Sequence, residues 1–184
     1  MVGIMKRFLA LFLVFCFIFT FAACAEPSDS LKKLRKQLEK HEFLGVTFYL
    51  PSDFTQSNIF ADVDTGRVTY TNDLGVTVLI NISEASFIEQ YFGTDVQDAK
   101  AYAQVYFDDQ KTDEAFQTTM SEKFDVPYIY RTAVENSVSQ YGFMGFYHAG
   151  DYFATVSVYT EDEAIFKQNE EAMIHYATIA SFER

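Results

Sequence analysis

Residues 139–159 read SQYGFMGFYHAGDYFATVSVY, and their two-residue alternation decides the fold class. In the second half, Tyr152, Ala154, Val156 and Val158 fall on one side of an extended chain, which is the pattern of a central strand. The first half is a partner strand, and Ala149, Gly150 and Asp151 reverse the chain between them. Downstream the period changes to that of a helix. Thr160 with Glu163 forms a capping-box pattern, Glu161 and Asp162 add negative charge at the amino end, and Ile165, Ala172, Met173, Tyr176 and Ala180 line one side. Phe182 is expected to tuck back on the body.

Upstream, Tyr128, Tyr130, Thr132 and Val134 alternate with Ile129, Arg131 and Ala133, so another strand precedes the turn at Asn136 and Ser137. The segment 112–124 reads both ways: Phe116, Met120 and Phe124 are spaced for a helix, while Thr118 and Thr119 weaken one. Ser86 with Glu89 and Thr94 with Gln97 are two further capping-box patterns. Behind them stand apolar faces of Phe87, Ile88, Tyr91 and Phe92, then Val96, Ala99, Ala103 and Tyr106. Gly93 makes this one broken helix or two short ones. Residues 67–72 and 76–82 form a hairpin around Asp73, Leu74 and Gly75; 58–66 is turn-rich, and 46–50 is a strand ended by Pro51. The expected architecture is α+β: an antiparallel sheet of about six strands over 43–184, with a central helical segment and a C-terminal helix packed on it.

The opening Gly45-x-x-Phe48-x-x-Pro51-x-x-Phe54, the central helix, the aromatic strands and the closing Ala180-Ser181-Phe182 together resemble the PsbP-like α/β/α sandwich over about 140 residues. The resemblance is one of pattern. It implies a non-catalytic accessory subunit or binding module at a membrane, and it implies no residue-level site.

The amino end supports such a location. Lys6 and Arg7 precede a 16-residue apolar run, 8–23, interrupted only by Thr20, which is shorter than the roughly 20 residues a spanning helix needs. Phe21-Ala22-Ala23-Cys24 resembles the box of a bacterial lipoprotein signal. That resemblance implies cleavage before Cys24, lipidation of Cys24 and a protein held in the outer face of a membrane. Ala23-Cys24-Ala25 also reads as a small-x-small site for ordinary secretion. The expected organisation is a signal peptide at 1–23, a lipidated Cys24 with linker and basic helix to residue 42, and the globular domain from 43.

Charge and cysteine content narrow the function classes. The net charge is −12, and losing Lys6 and Arg7 would take it to about −14, so nucleic acid is excluded as a natural partner. Cys16 and Cys24 are the two cysteines; beyond the leader no disulfide and no second thiol is available. Lys32, Lys33, Arg35, Lys36 and Lys40 stand against Glu39 alone in 31–40, whereas from residue 43 onward seven basic residues face 22 acidic ones. Leu31, Leu34 and Leu38 would line one side of a basic helix capped by 28–30. Two readings fit it: an ordinary solvated first helix, or one whose lysines meet anionic head groups.

Catalytic signals are sparse. His41, His148 and His175 are far apart and lack metal-ligand spacing, with His175 expected on the polar side of the last helix, one turn after Glu171. Asp62 and Asp64 before Gly66 resemble the start of a calcium loop, but position 73, where a bidentate Glu would stand, holds Asp73; a turn explains them equally. The acid pairs 108–109 and 113–114 sit in a polar connection. No cofactor is implied. The best binding candidate is the glycine-interrupted aromatic run Tyr141, Phe143, Phe146 and Tyr147, with Tyr128 and Tyr130 beside it: Gly142 and Gly145 leave dents that either admit a neighbouring backbone or open a groove. The expected function is an envelope-bound, non-catalytic binding or accessory module whose partner is another envelope protein or a small ligand. The alternatives are a secreted carboxylate hydrolase and a self-associating surface protein.

Overall fold

The computed structural model describes residues 38–183 apart from 63–65, 114, 122–125 and 136–137, and it leaves the side chains at 59–61 and 135 undescribed. The leader, Cys24, Lys32, Lys33, Arg35, Lys36 and Asp64 lie outside the described residues. Two antiparallel sheets and three helices make up the rest, an α+β fold.

The larger sheet has seven strands in the order β3-β4-β5-β9-β8-β7-β6. These are β3 (Thr55–Asp62), β4 (Arg67–Thr71), β5 (Thr77–Glu84), β6 (Phe116–Ser121), β7 (Tyr128–Glu135), β8 (Val138–Ala149) and β9 (Tyr152–Thr160). As its alternation requires, β9 is the middle strand, paired with β5 on one side and β8 on the other. Helices α1 (Ala85–Phe92) and α2 (Ala99–Gln110) carry the chain from β5 to the far edge at β6. A smaller sheet joins β1 (Leu38–Phe43), β2 (Val46–Pro51) and β10 (Ser181–Phe182), and it follows α3 (Glu163–Thr178) in packing against the large sheet.

The large sheet therefore buries two different faces. On one, Val78, Ile80, Ala154, Val156, Val158 and Phe143 meet Phe166, Met173 and Tyr176 of α3 and Val46, Phe48 and Leu50 of β2. On the other, Ile129, Met144, Phe146 and Phe153 meet Ile88 of α1 and Tyr102 and Ala103 of α2.

Several local expectations shift. Leu38 and Lys40 belong to a strand, because β1 pairs with β2 over six registers, closed by the two-residue turn Leu44 (φ 46°) and Gly45 (φ 91°). The basic helix accordingly does not extend through Lys40, and the fold begins by residue 38. The turn-rich segment before residue 63 is β3, whose pairing with β4 shifts register between Ser57 and Asp62. The ambiguous 112–124 segment resolves as strand β6, held along its length by β7. None of the three capping boxes is used as written. Asp98 caps α2 and Asp162 caps α3 through their carboxylates, and α1 starts at Glu84 with no side-chain cap. Asp can cap without a reciprocal Glu, which is why the pattern placed these ends a few residues early. Gly93 does end α1 in the left-handed conformation (φ 67°), giving two helices. His175 is buried at 4% exposure, not on the solvated side.

Tight seating of α3 depends on residue 145. A Cβ there would collide with the carbonyl oxygen of Ala177, the same atom that accepts a hydrogen bond of 2.7 Å from the buried Tyr147 hydroxyl. Gly145→Ala is expected to destabilise the fold by about 2 kcal/mol through overpacking. Tyr147→Phe, which removes only the hydrogen bond, should cost about 1 kcal/mol. Thermal melts of the two variants check both the sign and the order.

Burial also raises the phenol pKa values of Tyr102, Tyr106 and Tyr147, and it pushes Tyr176 up to about 12 from its ordinary 10.0. Because the unfolded phenols ionise first, stability should be complete below pH 10.0 and fall as pH rises from there towards 12. A melting series across that range, read together with tyrosinate absorbance, should show ionisation of the buried rings coinciding with unfolding.

Candidate ligand trough on the half-covered sheet face

The face of the large sheet under α1 and α2 is apolar where Ile129, Met144, Phe146 and Phe153 meet the helices, and polar at Arg131 and Gln140. Across β9, β5 and β4 the same side of each strand carries Ser157, Leu79, Asn81, Thr69, Thr71 and Arg67. Covering such a surface with a helix would take the exposed Arg67 guanidinium out of water, and a charge buried without a partner is costly. The helices stop short of it, and a trough remains.

One register row across the sheet runs Thr71, Thr77, Tyr159, Gly142, Arg131. Gly142 is the gap in this row: its Cβ would run into the Val158 carbonyl oxygen and would stand 2.7 Å from the Tyr159 Cβ, so β9 approaches too closely for any side chain. A hollow of about 260 Å³ opens there, bordered by Arg67, Leu79, Tyr106, Arg131, Gln140 and Ser157. It shares Arg67 and Tyr106 with a second hollow of about 580 Å³, whose walls include Phe87, Tyr91, Phe92, Tyr102, Gln110 and Phe116. On its other side it shares Gln140 and Tyr159 with a third of about 370 Å³ that reaches Thr69 and Asp162.

The polar groups along this trough are incompletely satisfied. Arg131 makes a 3.4 Å contact to the Tyr106 hydroxyl and lies over the Phe116 ring at 5.4 Å. Among the described residues Arg67 reaches Asn81 Oδ1, at 3.4 Å. Both contacts are at the long end for hydrogen bonds. Burial holds the Tyr106 phenol above its ordinary pKa, although the Arg131 guanidinium pulls it down. Gln110 is 8% exposed and its Oε1 has no hydrogen-bond partner; Thr69 is 1% exposed and its hydroxyl has none either. The aromatic wall is solvent-facing in part: Phe87 and Tyr91 are 58% and 65% exposed and stack at 6.5 Å on successive turns of α1.

The aromatic run read from the sequence is divided between the two sheet faces. Tyr130, Tyr141 and Phe143 surround Phe166 of α3 at 5.6 to 6.0 Å, Tyr128 packs on Phe143, and Tyr147 bonds α3. Phe146 points to the opposite face, against Tyr102 and Tyr106. Five of the six rings thus seat the last helix, and the two glycines take different roles: Gly145 admits the helix backbone, while Gly142 floors the trough. Lys40 is exposed and ion-paired with Glu42. His148 is exposed and stacks on Phe153 at 4.6 Å, and His41 is wedged between Phe48 and Tyr70. Among the described residues no three His, Cys, Asp or Glu side chains cluster to hold a metal ion.

Sequence reading passed over Arg67, Tyr106, Gln110, Arg131 and the outward aspect of Phe87 and Tyr91. One signal was available: both arginines alternate into strands of an acidic domain, where a surface cation would more often sit in a loop or on a helix.

No protein-family model matches the chain, and no curated protein matches it. Solved structures do. The solution structure of cyanobacterial PsbP (CyanoP) from Synechocystis sp. PCC 6803 is similar with a TM-score of 0.52 and 12% sequence identity, covering 79% of this chain and 92% of that one. The crystal structure of the Saccharomyces cerevisiae Ran-binding protein Mog1p is similar with a TM-score of 0.50 and 10% identity, covering 74% and 83%. A large antiparallel sheet with helices on both faces, in this order along the chain, is a PsbP-like fold.

Proposed function

We propose that this chain is an exported binding or accessory module, tethered through a lipidated Cys24 to the outer face of a bacterial membrane, without catalysis of its own. The observation that carries the binding role is the half-covered sheet face, where unsatisfied polar groups and exposed rings line one continuous trough. Ligand sites are commonly concave, of a few hundred Å³, and combine apolar walls with a few convergent polar groups. The description of Mog1p as Ran-binding gives one instance in which this fold serves recognition. The tether rests on the charged, apolar and small-residue parts of 1–24, and acyl chains would contribute about 0.8 kcal/mol for each buried methylene.

The hydrolase alternative calls for two acids in a cleft with one of them buried. Among the described residues no Asp or Glu is buried; Asp109 and Asp113 edge the larger hollow but are exposed.

Cells grown with a clickable fatty acid should incorporate it into the wild-type protein and not into Cys24→Ser. An unlabelled wild type found in the culture medium would contradict the tether and favour simple secretion.

A further inference from the structure

We infer that the trough binds a small organic anion with a flat apolar body, its acidic group drawn to the guanidinium groups that border the hollow, Arg67 and Arg131, and its body lying against the aromatic wall of α1 and α2. This deepens the proposed binding role and rests on it.

The first reason is charge. In a chain of net charge −12, positive side chains are ordinarily neutralised, and three lysines of the described domain are: Lys40 by Glu42, Lys111 by Asp108 and Lys167 by Glu163. Among the described residues Arg67 and Arg131 have no carboxylate partner, and both border the same hollow. A planar guanidinium offers paired N–H donors matched to a carboxylate, a match that a lysine does not provide. Among the described residues their contacts, an amide oxygen and a phenol at 3.4 Å each, leave most of those donors for something else.

A second reason is the wall. Phe87, Tyr91, Phe92 and Tyr106 lie beside the arginines, and two of these rings are more than half exposed although each has an apolar surface to bury. Rings of this kind take flat apolar groups face-on or edge-on. The third is Gln110, an amide nine-tenths buried in the same wall whose Oε1 lacks a partner. Left unpaired, that group has lost its water without gaining a partner, which disfavours the fold. A ligand N–H or O–H supplies the missing donor. The acidic surroundings then act as a filter: they repel polyanions at a distance, whereas a single small anion reaches the arginines with little penalty at physiological salt, where screening sets in within about 8 Å.

The probe is 6-hydroxy-2-naphthoate, whose hydroxyl supplies that missing donor, with its neutral amide as control, titrated into the purified full chain by isothermal calorimetry. Saturable binding of one naphthoate is expected, at least tenfold tighter than the amide. It should weaken at least tenfold in Arg131→Gln and in Arg67→Gln, partly in Arg131→Lys, and also in the Phe87→Ala, Tyr91→Ala double variant. Arg67 and the two α1 rings are exposed, so these variants keep the fold intact, as a thermal melt verifies, even if Arg131→Gln disturbs its stacking on Phe116. Equal binding of acid and amide, unchanged affinity in the arginine variants, or no saturable binding would each overturn the inference. The fatty-acid labelling of Cys24 is unaffected by any of these results, so failure here is distinguishable from failure of the tether.

Discussion

Everything in this fold depends on how closely the backbone of α3 can approach β8. Gly145 lets the Ala177 carbonyl descend to the sheet, Tyr147 ties that carbonyl in place, and Phe166 enters a ring of aromatic side chains one turn from the helix start. With α3 fixed there, the chain leaving it is delivered to β2, where Ser181 and Phe182 pair with Thr47 and Val46 and close the small sheet. One missing side chain thus connects the centre of the large sheet to the edge of the small one.

α3 and the small sheet cover the middle of one face, and differences in polarity show most on the other. There Ile129 of β7, Met144 and Phe146 of β8 and Phe153 of β9 draw α1 and α2 over them, while Arg131, Gln140, Ser157, Thr71, Asn81 and Arg67 leave the rest of that side polar. Helix cover stops where burial would cease to be favourable. The trough is therefore a consequence of the strand sequences, and its floor at Gly142 comes from the same kind of close approach that seats α3 at Gly145. In one case the space vacated by a side chain is filled by a helix; in the other the neighbouring strand closes in and leaves a dent facing solvent.

The parts of this legible in the sequence were those with a strong period. The alternation in 152–158 identified β9 as central, the hairpin around Asp73 formed as read, with Asn72 Oδ1 accepting from the Leu74 and Val76 amides, and Gly93 divided the helices. What escaped depended on tertiary pairing. Leu38 looked helical by its spacing from Leu31 and Leu34, yet β1 exists because β2 offers it a full edge. β6 has helix-spaced apolar residues and is a strand because β7 holds it. The candidate site was half legible: the glycines were recognised as dents, but which face each dent opened on is a matter of register, and a one-residue shift exchanges the faces. Arg67 and Arg131 carried no motif. Only their shared position on the uncovered side of the sheet gives them meaning.

Arg67 is exposed and Arg131 half-buried beside the same hollow, so both guanidiniums stay reachable from solvent until a ligand occupies the trough. Mapping phenylglyoxal modification of the full chain by mass spectrometry tests it directly. Arg67, and more slowly Arg131, should react in the free protein and become protected when 6-hydroxy-2-naphthoate is added. Slow reaction of both arginines in the free protein, or no protection on addition of the ligand, would contradict it.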